Sequence, residues 1–119
     1  MDKGARIYKD FIDTLVKMSA KCSDEGVIRG QRVRWNDENS AVINGLLEKL
    51  DDRERNALAD FLLGTYRSAV HDVLAELEWM RCCKDMTITV EGEILPLGAY
   101  EGLHCDYIGR LQDWEWPDE

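Results

Sequence analysis

The chain has 119 residues, 45% of them hydrophobic and 33% charged, a balance that fits one folded domain and excludes an intrinsically disordered chain. Its 24 acidic and 15 basic residues give a formal net charge of −9, which repels phosphate backbones, disfavours nucleic-acid binding and attracts basic proteins. No stretch approaches 18 consecutive apolar residues and the opening MDKGARIYKDF has no apolar run, so neither a membrane span nor a secretory signal is expected. A cytosolic location follows as an expectation, with Cys22, Cys82, Cys83 and Cys105 reduced.

Ile7, Phe11, Leu15, Met18 and Cys22 recur at steps of three and four, which predicts a first helix from about Asp2 to Cys22. SDEG at 23–26 reads as its end, with Gly26 suited to a left-handed residue. The segment VIRGQRVRW, 27–35, lacks helical periodicity and forms the one basic island, with Arg29, Arg32 and Arg34 beside Trp35. WNDENS supplies capping residues for a second helix carrying Val42, Ile43, Leu46, Leu47 and Leu50.

Asp51 and Glu54 stand three apart, the spacing of a capping box, and open a third helix. Helical spacing from Leu58 to Met80 sustains it for about thirty residues, or about 45 Å. Gly64 is its weak point. Past Lys84 the period changes, and residues 87–90 and 93–95 read as a β-hairpin. A two-residue Glu91-Gly92 turn sets Val90 opposite Glu93 and Ile88 opposite Leu95. A three-residue loop, 90–92, sets Ile88 opposite Ile94 and Thr89 opposite Glu93, and its cleaner apolar face makes it the preferred register.

The terminal stretch from Glu101 to Glu119 holds six acids and one arginine, a net charge of −5. It also holds Tyr107, Ile108, Leu111, Trp114 and Trp116. Burying large rings is worth about 1.5–3 kcal/mol each, enough to hold an ordered strap, so at least one of Trp114 and Trp116 is expected to fold back onto the helices. The expected architecture is a mainly α, single-domain helical bundle over residues 1–119. It has three principal helices, the third long, a small C-terminal β-hairpin and an aromatic C-terminal strap.

Catalytic signatures are few. Cys82-Cys83 and His104-Cys105 invite a zinc reading, but adjacent side chains on a helix diverge by about 100°, so free thiols are the expectation and no cofactor is inferred. His71 falls on a polar helix face with Asp60, Arg67 and Glu78, which favours solvation over catalysis; only His104 stands ready to assist it. The carboxylates of Asp10, Asp13, Asp72 and Glu76 would suit Mg²⁺ in a groove between the first and third helices, the basis of an alternative reading as a small helical metal-dependent enzyme or ligand-binding protein. The scattered glycines form no phosphate loop, and no Gly-x-Ser-x-Gly elbow occurs.

The aromatic residues ringed by acid resemble small bacterial proteins of unknown function. They are also loosely similar to acidic immunity or inhibitor proteins, which neutralise a toxin by covering a basic active site. The likeness rests on size, helicity and charge and transfers no residue. The reading is a non-enzymatic cytosolic interaction module for a basic protein partner, with Arg29, Arg32, Arg34, Trp35, Trp114 and Trp116 as candidate contacts. A homodimer through the long third helix is the further partner arrangement expected.

Overall fold

A computed structural model describes residues 2–30, 38–98 and 100–117. The chain is mainly α, with five helices and one two-stranded sheet among the described residues: α1 (Lys3–Met18), α2 (Ser23–Ile28), α3 (Glu38–Leu47), α4 (Asp52–Cys83), β1 (Thr89–Val90), β2 (Glu93–Ile94) and α5 (Leu103–Leu111). The three expected helices are α1, α3 and α4; α2 and α5 are additional. Two compact units are present, residues 19–67 and residues 1–18 with 68–119.

In the unit of residues 19–67, Ile28, Leu47 and Ala59 form a small core, with Val27, Ile43, Leu50 and Leu62 against it. The expected continuation of the first helix to Cys22 is wrong: α1 stops at Met18, and SDEG opens α2 instead of ending α1. Local chemistry explains the short helix better than periodicity does. The Cys22 sulfur accepts from the Glu25 amide at 3.4 Å, and two acids occupy the positive first turn. Arg29, one turn on, pairs back to Glu25. Arg55 donates to the Leu47 carbonyl at 2.8 Å and closes the open end of α3. The capping box at α4 is present, with the Glu54 amide donating to Asp51 at 2.8 Å and the Asp51 amide to Glu54 at 3.0 Å.

In the unit of residues 1–18 and 68–119, the core comprises Tyr8, Ile12, Leu74, Leu95, Leu103, Tyr107 and Trp116. The buried face of α1 is centred on Ala5, Tyr8, Lys9 and Ile12, while Met18, on the expected apolar stripe, is 60% exposed. Two polar residues hold that face because each has partners. The Tyr8 hydroxyl donates to Asp106 at 2.5 Å, and the Lys9 ammonium lies 5.8 Å from the ring centres of both Tyr100 and Trp116.

The hairpin takes the two-residue turn, with Val90 opposite Glu93 and Thr89 opposite Ile94. The preferred three-residue loop is therefore wrong. Glu91 and Gly92 both have positive φ, 52° and 79°, the left-handed pair that matches strand twist in a tight hairpin. Leu95 decides the register. It is 1% exposed and its amide donates to the Ile88 carbonyl at 2.8 Å, whereas Ile94 faces water at 60% exposure. Arg81, 3% exposed, secures the hairpin's exit by donating to the Leu95 and Pro96 carbonyls at 3.1 and 2.8 Å and to Glu78 at 2.9 Å.

Candidate functional site

The C-terminal stretch does fold back, but through a helix. Gly102 precedes α5 with φ of 114° beside the Glu78 side chain, a position suited to glycine alone. At the far end the Trp114 amide reaches back to the Gly109 carbonyl at 2.9 Å and the Asp113 amide to Arg110 at 3.3 Å, with Asp113 left-handed at φ 61°. These are the paired bonds of a Schellman stop, and they reverse the chain. The reversal lays Trp114 on the helix: a Cβ at Gly109 would come within 3.2 Å of the indole.

Trp116 then enters the core at 2% exposure. Its ring meets Tyr100 edge-on at 4.9 Å and Trp114 at 5.4 Å. Its N–H donates to Asp13 at 3.3 Å. Arg110 ties the same carboxylate at 2.7 Å, donates to the Trp114 carbonyl at 2.6 Å, and stacks 5.3 Å from the Trp116 ring centre. The strap is thus held by one arginine that meets a carboxylate, a carbonyl and an indole together.

Tyr8 and Asp106 anchor the other end of α5. Asp106 is fully buried and accepts from Tyr8 and from the Glu101 amide at 3.2 Å. Burial, then the hydrogen bond and negative charge of Asp106, hold the Tyr8 hydroxyl far above its ordinary range. A phenol that ionises less readily in the folded than the unfolded chain contributes stability that is complete below about pH 10 and lost as pH rises beyond it. Denaturation curves above pH 10 should therefore fall by up to about 1.4 kcal/mol per pH unit relative to Tyr8→Phe. Parallel curves for the two proteins would contradict the assignment.

Beside this anchor lies a cleft of about 700 Å³ lined by Asp10, Asp13, Thr14, Val16, Lys17, Arg110 and Asp113. Asp13 is committed to Arg110 and Trp116. Asp10 and Asp113 contribute further carboxylates to the wall, facing a space wide enough for an ammonium or guanidinium group. The wall thus brings three carboxylates, Asp10, Asp13 and Asp113, together with the Thr14 hydroxyl and the cations of Lys17 and Arg110.

The expected site residues fare unevenly. Asp72 and Glu76 are exposed and do not line this cleft, so the four-carboxylate groove does not form. Asp72 instead faces His71 at 3.1 Å. Among the described residues, no group of three or more His, Cys, Asp or Glu side chains is placed to hold a metal ion. His71 and His104 do meet, with ring centres 5.4 Å apart. Cys105 is a poor nucleophile, its thiol pushed up by burial and then by Glu101, Asp106 and Glu78.

Arg29 is held by the chain's own acids, Glu25 and Asp60 at 2.6 Å, which keep its guanidinium charged more firmly than usual. Its expected role as a partner contact meets that competition. Trp116 is too buried to contact a partner, and Trp114 is half-buried against the core, so the expected pair of aromatic contacts is instead structural. Arg32, Arg34 and Trp35 lie outside the described residues. Reasoning from sequence missed Lys17, Arg110 and Asp113; the one clue was Arg110, the single base in an acidic stretch.

No helix among the described residues is long and apolar enough to cross a membrane. The chain matches no curated protein and no solved structure, so no immunity or inhibitor protein stands among its matches. Residues 1–118, nearly the whole chain, match the family described as "Family of unknown function (DUF6547)", and the chain belongs to that family.

Proposed function

We propose that the protein is a non-enzymatic, cytosolic interaction module that receives a basic protein partner at the α1–α5 cleft. The observation that carries this reading is the cleft's composition, with Asp10 and Asp113 on its wall and Asp13 already neutralised by Arg110. With Arg110 engaged by Asp13, two carboxylates, Asp10 and Asp113, face one remaining cation, Lys17, so a lysine or arginine of the partner would meet a net negative wall without having to displace Arg110. The long-range field favours such a partner too, since the chain carries −9 and its terminal stretch −5. Four free cysteines, three of them exposed, suit a reducing compartment.

The test is capture from the source cell with the wild type and with Asp10→Lys/Asp113→Lys, followed by kinetics on the captured protein. A basic protein should be retained by the wild type and lost with the charge-reversed variant. Its association rate should fall several-fold between about 0.05 and 0.5 M salt, with dissociation changing less. Retention by the variant, or a salt-indifferent association rate, would refute the reading.

A further inference from the structure

Counting about 100° per residue, Leu58, Phe61, Thr65, Ser68 and Asp72 fall within an arc of about 80° on α4. All five are exposed, Phe61 at 71%. Because they sit on one continuous helix, their relative positions follow from helix geometry alone. A phenylalanine left so far in water is a cost that packing among the described residues does not relieve.

Gly64 borders this arc. It sits in the interior of a 32-residue helix, and a Cβ built on it would find nothing within 4 Å. A helical glycine weakens a helix relative to alanine, and no close approach among the described residues requires it. A bare backbone beside an exposed ring is the arrangement that lets another helix come near.

The geometry points to a second copy of this chain, docked antiparallel on that face of α4. The register that sets Phe61 over Gly64 of the second copy places Arg53 opposite Asp72 of the second copy, and the two-fold repeats both contacts. The charges match at both ends: Arg53 is exposed, and the Asp72 side chain is 79% exposed. Glu54, next to Arg53 in the chain, is turned back onto the Asp51 amide and caps the helix, and among the described residues Asp72 meets only the exposed edge of its neighbour His71, at 3.1 Å. Leu58 meets Thr65 and Ala69 of the second copy, small enough for close packing.

The overlap from residue 53 to 72 is about 30 Å long. A single helix face of that length falls short of the standard interface of about 800 Å² per partner, so the dimer is weak and reversible. Two chains of −9 also repel one another, so added salt should strengthen this dimer, opposite to its effect on a basic partner.

Sedimentation equilibrium on the full chain, from about 10 µM to about 1 mM and at about 0.05 and 0.5 M salt, tests this. A monomer–dimer equilibrium that tightens with salt is expected. Phe61→Ser should weaken it at least tenfold with little change in melting temperature. Gly64→Ala should raise the melting temperature yet weaken the dimer several-fold, which no purely structural role of Gly64 would produce. Arg53→Asp and Asp72→Arg should each weaken it, and the double variant should recover most of the loss.

A monomer throughout that range, or a dimer indifferent to Phe61→Ser and Gly64→Ala, would overturn the proposal. Failure of the double variant to recover would overturn the antiparallel register. If Phe61→Ser instead abolished capture of a basic protein by a chain that never dimerises, the face would belong to that protein.

Discussion

Trp116→Ala is expected to cost about 3–5 kcal/mol of folding stability, the range for deleting a large aromatic side chain from a closed core. The ring is 2% exposed and is enclosed by Tyr8, Tyr100 and Trp114, with Lys9 and Arg110 over its faces. Its loss opens a cavity and removes a donor from Asp13. Trp116→Phe retains much of the apolar volume and should cost about half as much, because Arg110 still pairs with Asp13. Removing residues 114–119 should destabilise at least as much as Trp116→Ala. Urea denaturation of the three proteins measures all of this, and a loss below about 1 kcal/mol for Trp116→Ala would show that the strap is not part of the core.

Arg81→Met is expected to be of similar size, about 3–5 kcal/mol, through a different cause. Arg81 is buried with Glu78, its side chain 1% exposed and that of Glu78 12%. Methionine fills comparable volume but leaves the Glu78 carboxylate without its cation and the Leu95 and Pro96 carbonyls without their donor. Adding Glu78→Gln should recover part of the loss, since the stranded charge disappears while the carbonyls stay unpaired. A double variant as unstable as the single one would place the cost in the unpaired carbonyls and in packing rather than in charge.

What the sequence reveals follows the range over which each interaction acts. The start of α4 was legible because Asp51 and Glu54 are three residues apart and satisfy each other's amides. Burial of the strap was legible because two indoles carry enough apolar surface to decide the matter alone. The hairpin register was not, because alternation within 87–95 left two choices, and the selection depended on Leu95 reaching a core assembled from distant segments. Likewise α5 was hidden by its own glycines. Gly102 and Gly109 weaken helical expectation, yet Gly109 is what lets Trp114 lie against the helix.

The cleft was hidden for a related reason. Asp13 stood out as a metal ligand, but its partner Arg110 lies 97 residues away in the chain, and no local pattern announces such a pair. Tyr8 and Asp106, 98 residues apart, were missed in the same way. An acid read in isolation suggests a cation from outside, and here the fold supplies one from within.

The most direct test of the central claim is a ¹H–¹⁵N correlation spectrum of the full chain titrated with a short lysine- and arginine-rich peptide. If the α1–α5 cleft recognises cations, the shifts should concentrate at Asp10, Thr14, Lys17 and Asp113 and at the Arg110 side chain, saturate, and vanish at high salt. Shifts spread evenly over every exposed acid, with Asp72 and Glu76 moving as far as Asp10 and Asp113, would mean that the acidity serves solubility and that the cleft recognises nothing.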